Sequence, residues 1–246
     1  MIKHFNKLKF HIITLNDHPD RLDLLKKQID NKINYQIHKF DKNKISAEQG
    51  CYDSHLYLYK YMIEQNLPYI IILEDNAILN KSIDENKILN FIDNHKFDVL
   101  YLGAFITPLQ KCSKYKSKNI YRTNYVHGTT CYVINRKTCE KLINKKDREK
   151  AIDIELSKLN NVFMISPLIF HRSNNIKSTI NTNYDKIRNF YFNPIIYNWI
   201  EKLFFKGILY QTTILLLTLF VILFLLLFQK SLKWFDQIIG DIKFNN

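Results

Sequence analysis

The order of apolar segments predicts an α/β protein with one domain on a mainly parallel sheet, followed by a single C-terminal transmembrane helix. Three observations carry this. Short apolar runs alternate with helix-period segments from Phe10 to Leu159, the pattern that links parallel strands through helical crossovers. The run Leu67-Pro68-Tyr69-Ile70-Ile71-Ile72-Leu73-Glu74-Asp75-Asn76 is rich in β-branched residues and too short for a buried helix, and it stops on acidic and amide side chains. It reads as a strand covered on both faces. The third observation is Ile208 to Phe228, uncharged over 21 residues, when about 20 residues cross a hydrocarbon core roughly 30 Å thick.

The elements follow in order. Residues 10–15 form the first strand. A helix spans 19–30, with Pro19 in its first turn and Leu22, Leu25 and Ile29 on one face. A strand near 35–40 precedes Ser46-Ala47-Glu48-Gln49, a capping box that starts a helix over 47–65. Within that helix Cys51, His55, Leu58 and Met62 recur at spacings of four, three and four, one stripe facing the sheet. Strand 69–74, helix 85–94 and strand 98–102 come next. Thr107 to Asn119, with Pro108, Lys111, Lys114, Lys116 and Lys118, reads as a mobile basic loop, either simply solvated or a lid near phosphates. Strand 130–135, helix 136–144, a helix from Asp153 to about Leu159 and a strand ending near Ile169 complete the domain. Residues 181–207, with Tyr184, Tyr191, Phe192, Tyr197 and Trp199, read as an aromatic, basic connector on a membrane surface. Residues 229–246 read as a short tail.

Composition excludes little. The formal charge of +13 suits nucleic acid, an anionic membrane or a phosphate-bearing substrate, but no nucleic-acid motif accompanies it, so no nucleic-acid partner is expected. Four cysteines, Cys51, Cys112, Cys131 and Cys139, include no Cys-x-x-Cys pair, which argues against a zinc site or a disulfide framework and for a reducing compartment. No signal peptide is read at the N-terminus, because the run Phe10 to Leu15 is too short for one. A C-terminal anchor with a cytosolic domain is the resulting expectation. Lys202 and Lys206 on one side balance Lys230 and Lys233 on the other, so the flanking charges leave orientation open.

The chemistry concentrates at the end of strand 69–74. Oxygen-bearing side chains at the carboxyl end of a strand in an open α/β sheet suit a hard divalent cation holding a phosphate, although a polar turn has the same composition. His55, on the apolar stripe, reads either as a hydrogen-bonded core residue or as a group reaching a phosphate or a carboxylate.

Gly50-Cys51-x-x-Ser54-His55 followed by Ile72-Leu73-Glu74-Asp75-Asn76 resembles glycosyltransferase family 25. Further blocks agree in order: His11 to Asn16 with Pro19-Asp20-Arg21, Phe97 to Gly103, Gly128 to Ile134, Ile152-Asp153, and Ser166-Pro167 with Ser178-Thr179-Ile180. The resemblance covers roughly residues 10–180 and implies a GT-A type, Rossmann-like domain over 1–180. It also implies a nucleotide-sugar donor, commonly UDP-galactose, a divalent metal such as Mn2+, and inversion at the anomeric carbon. Asp75, Asn76 and His171 are the implied metal ligands. Asp153 is the implied base, with Glu155 as its alternate. Arg21, Ser54, His55, Glu74, Asp98, Gly128 and Thr129 are the implied donor-binding residues. The acceptor would be a glycan, a lipid-linked sugar or a protein near a membrane. Family members usually carry Glu-Asp-Asp where this chain has Glu74-Asp75-Asn76. The amide leaves two readings, an enzyme with altered metal dependence or a catalytically decayed, membrane-anchored binding protein. From the residues alone, Asp153 is equally an N-cap, His171 a surface histidine and Arg21 half of an ion pair.

Overall fold

A computed structural model describes residues 8–107, 110–115, 119–148, 151–173 and 193–244, with side chains in the last helix described through Phe224 and at Leu227 and Phe228. Its strands are β1 (Lys9–Leu15), β2 (Asn34–Phe40), β3 (Tyr69–Glu74), β4 (Ala77–Leu79), β5 (Val99–Phe105), β6 (Cys112–Lys114), β7 (Ile120–Thr123), β8 (His127–Asn135), β9 (Val162–Ile165) and β10 (Phe170–Arg172). The helices are α1 (Pro19–Ile29), α2 (Ala47–Glu64), α3 (Glu85–Asn94), α4 (Arg136–Ile143), α5 (Ile152–Ser157), α6 (Pro194–Phe205) and α7 (Ile208–Phe244).

Eight strands form one sheet in the order β2-β1-β3-β8-β5-β9-β7-β6, and β10 pairs with β4 in a separate ribbon. β1 runs parallel to both β2 and β3, and β9 runs parallel to β5. β8 is inserted antiparallel between β3 and β5, and β7 runs against β9 and β6. β7 and β8 therefore oppose a sheet whose other strands share one direction. The insertion positions the site, because it carries the start of β8 to the carboxyl ends of β1 and β3.

Strand alternation divides the core. Ile70 and Ile72 of β3 join a cluster under α2, α4, α5 and α6 that includes Leu58, Met62, Tyr132, Leu142 and Leu156. Ile71 and Leu73 join the opposite cluster under α1 and α3, with Leu25, Ile29, Ile88 and Phe91. α2 begins where the sequence places it: the Ser46 hydroxyl accepts from the Gln49 N–H at 3.0 Å, while the Gln49 side chain turns to Asp53 at 2.8 Å. At Gly103 a Cβ would lie 2.6 Å from the Phe170 carbonyl oxygen, so only glycine lets β10 lie this close to β5.

Three expectations change. The stretch read as a basic loop contains β6, zipped to β7 by the register Cys112↔Thr123 to Lys114↔Tyr121; Pro108, Lys116 and Lys118 lie outside the described residues. The region read as a surface connector contains α6, whose Tyr197 and Phe204 are buried in the core. Tyr184, Tyr191 and Phe192, like Ser178-Thr179-Ile180, lie outside the described residues. The last change concerns the span at 208–228. Among the described residues no single helix is long and apolar enough to cross a membrane; Pro194–Phe205 and Ile208–Phe224 meet that criterion only as a pair, bent by 87°. The bend falls at Gly207, whose φ of 74° is left-handed. α7 continues through the residues read as a tail.

Candidate active site

A cleft of about 300 Å³ opens at the carboxyl ends of β1 and β3. Its walls come from β1, α1, the first turns of α2, the β3 terminus, the start of β8, the start of α5 and Arg172 of β10.

β3 delivers its last residues to different walls. Glu74 follows Ile72 in the alternation and faces α2. There His55 Nε2 lies 3.6 Å from Glu74 Oε1, a charge contact beyond hydrogen-bond length. The Thr129 hydroxyl donates to Oε1, and the Asn76 amide donates to Oε2 at 3.1 Å. Burial pushes the Glu74 carboxyl up, but the polar contact and charge of His55, the Thr129 hydroxyl and the Arg172 charge outweigh it, and it titrates at about 2.

Asp75 faces α1. It accepts the Thr14 hydroxyl at 2.8 Å and stands 3.9 Å from an Arg21 guanidinium nitrogen. Burial raises its titration above the usual value despite Thr14 and Arg21, with Glu74 adding to the rise. Two neighbouring carboxylates are thus set apart by environment, Glu74 lowered and Asp75 raised.

A carboxylate is an acceptor only, so the Asn76 side chain must turn its NH2 to Glu74, leaving Oδ1 buried without a hydrogen-bond partner. Asp75 and the Asn76 Oδ1 are both oxygen donors, and the unsatisfied oxygen fits the hard divalent cation that the resemblance implies. His171 does not join them. Its Nε2 is bound to Glu201 of α6 at 2.8 Å and its ring packs against Tyr197.

Asp153 also lines the cleft. Its two carboxylate oxygens accept the Gly128 N–H at 2.9 Å and the Ile154 N–H at 3.0 Å, fixing the side-chain rotamer. Gly128 has φ 71°, which glycine adopts without strain. Glu155, two residues on, points away because residues so spaced do not share a helix face. It is buried and ion-paired to Lys145 at 2.5 Å.

Arg21, Ser54, His55, Glu74, Asp75, Asn76, Gly128, Thr129 and Asp153 all line this one cleft. Asp98 does not. At the amino end of β5 its oxygens accept the Thr138 hydroxyl at 3.1 Å and the Asn161 N–H at 3.0 Å, which makes it a structural clamp at the other edge of the sheet. Sequence reasoning did not single out Thr14 and Arg172. Thr14 had a signal, its place at the carboxyl end of the first strand; Arg172 is brought in only by the pairing of β10 with β4.

Among solved structures the chain is similar to A197 from STIV, at 14% identity over 68% of this chain and 85% of that one, with a TM-score of 0.47. A glycosyltransferase involved in the glycosylation of the major capsid of PBCV-1 is similar at 9% identity over 76% and 98%, with a TM-score of 0.42. Mannose-1-phosphate geranyltransferase from Thermus thermophilus is similar at 8% over 64% and 73%, with a TM-score of 0.44. At these identities and scores the likenesses are distant. No curated protein matches the chain. Residues 38–156, from within β2 into α5, match glycosyltransferase family 25 (LPS biosynthesis protein). That span holds Cys51, Ser54, His55, Glu74, Asp75, Gly128, Thr129 and Asp153, so the part of the chain that matches glycosyltransferase family 25 is the part that supplies most of the cleft.

Proposed function

We propose that this chain transfers galactose from UDP-galactose, with inversion, to a glycan, lipid-linked or protein acceptor at a membrane. The observation that carries the reading is that one cleft holds both the oxygen donors Asp75 and Asn76 with Arg21 and the clamped Asp153 carboxylate. Inversion requires a base on the face opposite the leaving diphosphate.

Arg21 and Arg172 are placed to neutralise the diphosphate of the donor. Asp153, held by two backbone N–H groups, keeps lone pairs to take the proton of the attacking hydroxyl. Glu74 is held between His55, Thr129 and Asn76 and organises the wall between them. A divalent cation such as Mn2+ on Asp75 and Asn76 would offset the charge of the departing nucleoside diphosphate. Asn76 supplies an oxygen without charge, so such a cation is held more weakly than by two carboxylates.

The membrane part of the proposal rests on α7. Its side chains from Ile214 to Phe224 are apolar except Thr218, and the large ones are 42–68% exposed around the whole circumference. A helix apolar on every side needs an apolar surround. Trp199, 67% exposed on α6, suits the interface beside it.

A second reading, a non-catalytic binding protein, is favoured by Asn76 alone. The test is calorimetric titration of the full chain in detergent with UDP-galactose and other nucleotide sugars, with and without Mn2+, together with product analysis. Metal-dependent binding that is lost in Asp75→Ala, accompanied by galactosyl release, supports the transferase. Binding without turnover supports the second reading, and no binding by folded protein overturns both.

A further inference from the structure

The inner wall of the cleft holds a cluster whose cysteine the transfer chemistry above leaves unused. Cys51 Sγ, His55 Nε2 and a Glu74 carboxylate oxygen lie within 4.8 Å of one another. Cys51 and His55 are four apart on α2 and share its inner face, and Glu74 ends the strand beneath them. A tetrahedral ion with ligands about 2.0–2.3 Å away sets ligand atoms about 3.3–3.8 Å apart. The His55–Glu74 distance of 3.6 Å is already in that range, and Cys51 Sγ lies within 4.8 Å of both.

A second observation, independent of this clustering, points to a ligand. His55 is fully buried, yet its Nε2 has no hydrogen-bond partner. Its other nitrogen, Nδ1, lies 2.6 Å from the Tyr132 hydroxyl, which in turn lies 2.7 Å from the Tyr59 hydroxyl. In the neutral ring, with Nδ1–H donating to Tyr132 and Tyr132 donating to Tyr59, this relay is satisfied and the Nε2 lone pair is aimed at Cys51 and Glu74; the proton that gives His55 its charge beside Glu74 is released when an ion binds. Metal-binding histidines are oriented by such a bond on the second nitrogen.

We propose that Cys51, His55 and Glu74 bind a zinc-class transition-metal ion, with the fourth position open to the cleft. One sulfur, one nitrogen and one oxygen ligand favour zinc over the hard cations suited to Asp75 and Asn76. Three protein ligands with an open fourth position leave room for water or an oxyanion such as a phosphate oxygen. Binding converts the Cys51 thiol to a thiolate and releases its proton to solvent. The site stands apart from the transfer reading, because the three side chains form it whether or not a sugar is transferred.

The experiment is titration of the full chain with Co2+ as a spectroscopic stand-in for zinc, followed by displacement with Zn2+. The expected result is a thiolate-to-cobalt charge-transfer absorption at one ion per chain, displaced by Zn2+. It is absent in Cys51→Ala and unchanged in Cys112→Ala. Glu74→Gln, which keeps the carboxylate's shape, weakens Zn2+ binding by at least about 10–100-fold, the loss that follows even from removing an outer partner. No absorption in the wild-type protein overturns the proposal, as does absorption that survives Cys51→Ala. Asp75→Ala is expected to keep the absorption, so failure of the donor site and failure of this site are read separately.

Discussion

The two edges of the sheet carry polar clusters of similar make-up and opposite character. At the amino edge of β5 both Asp98 oxygens are occupied, one by Thr138 and one by the Asn161 N–H, while the Asn135 amide is spent on the Phe97 carbonyl and its oxygen caps α4. At the carboxyl edge of β3 the hydrogen bonding is incomplete. His55 Nε2 and Asn76 Oδ1 are buried without partners, and one carboxylate is held well below its usual titration while its neighbour is pushed above. A protein surrenders stability to keep buried polar atoms unpaired, and does so where something else is meant to bind. The amino edge is a joint and the carboxyl edge is a site.

That contrast breaks most sharply at Asp153. Asp153→Asn keeps the shape and an oxygen for the Gly128 N–H but cannot accept a proton, so turnover is expected to fall about 10²–10⁴-fold with donor binding unchanged. Single-turnover rates beside calorimetric affinities separate these effects. Unaltered turnover would reduce Asp153 to a clamp like Asp98.

The next largest effect belongs to Glu74. Its folded titration near 2 lies below the ordinary value of 4.5, so its stabilisation is complete above pH 4.5 and is lost as pH falls toward 2, in total roughly 3 kcal/mol. Urea unfolding of wild type and Glu74→Gln across that window should show the difference between them shrinking as the pH drops. A constant difference would mean that the His55, Thr129 and Arg172 contacts do not hold the carboxylate ionised. Asp75 has the opposite sign, because burial raises its titration.

The smallest effect is at the amino edge. Asp98→Asn leaves one former acceptor position facing an N–H or hydroxyl donor, at an expected cost of about 1–3 kcal/mol in unfolding free energy. Nucleotide-sugar binding should not change. A loss of binding without a loss of stability would restore Asp98 to the donor site.

Much of this architecture is legible in the residues. The capping Ser46, the stripe from Cys51 to Met62 and the apolar run before Glu74 place α2 and β3 at nearly their observed bounds, because helix and strand periods over six or more residues depend on local geometry. β4, β6 and β10 escape such reading, since three residues complete no period and are strands only through their partners. α6 was read as a surface segment because nothing local says that Tyr197 donates to the Ala104 carbonyl at 2.5 Å or that Glu201 fastens to His171 and the Leu168 N–H.

For the site the division is similar. The acidic end of β3, the helix start carrying Ser54 and His55, the Gly128-Thr129 turn and Asp153 are visible as residue types in order. Their meeting in one cleft depends on β8 entering antiparallel between β3 and β5. The same holds for the exclusions: Glu155 and Asp153 look alike two residues apart, and only the packing of α5 sends one to Lys145 and the other to the cleft. Local sequence determined which elements form and which of them end on reactive groups, since propensity, period and capping act within a few residues. Tertiary structure alone decided which groups share a wall, which are spent on one another and which are left unpaired, because pairing and burial depend on neighbours distant in the chain.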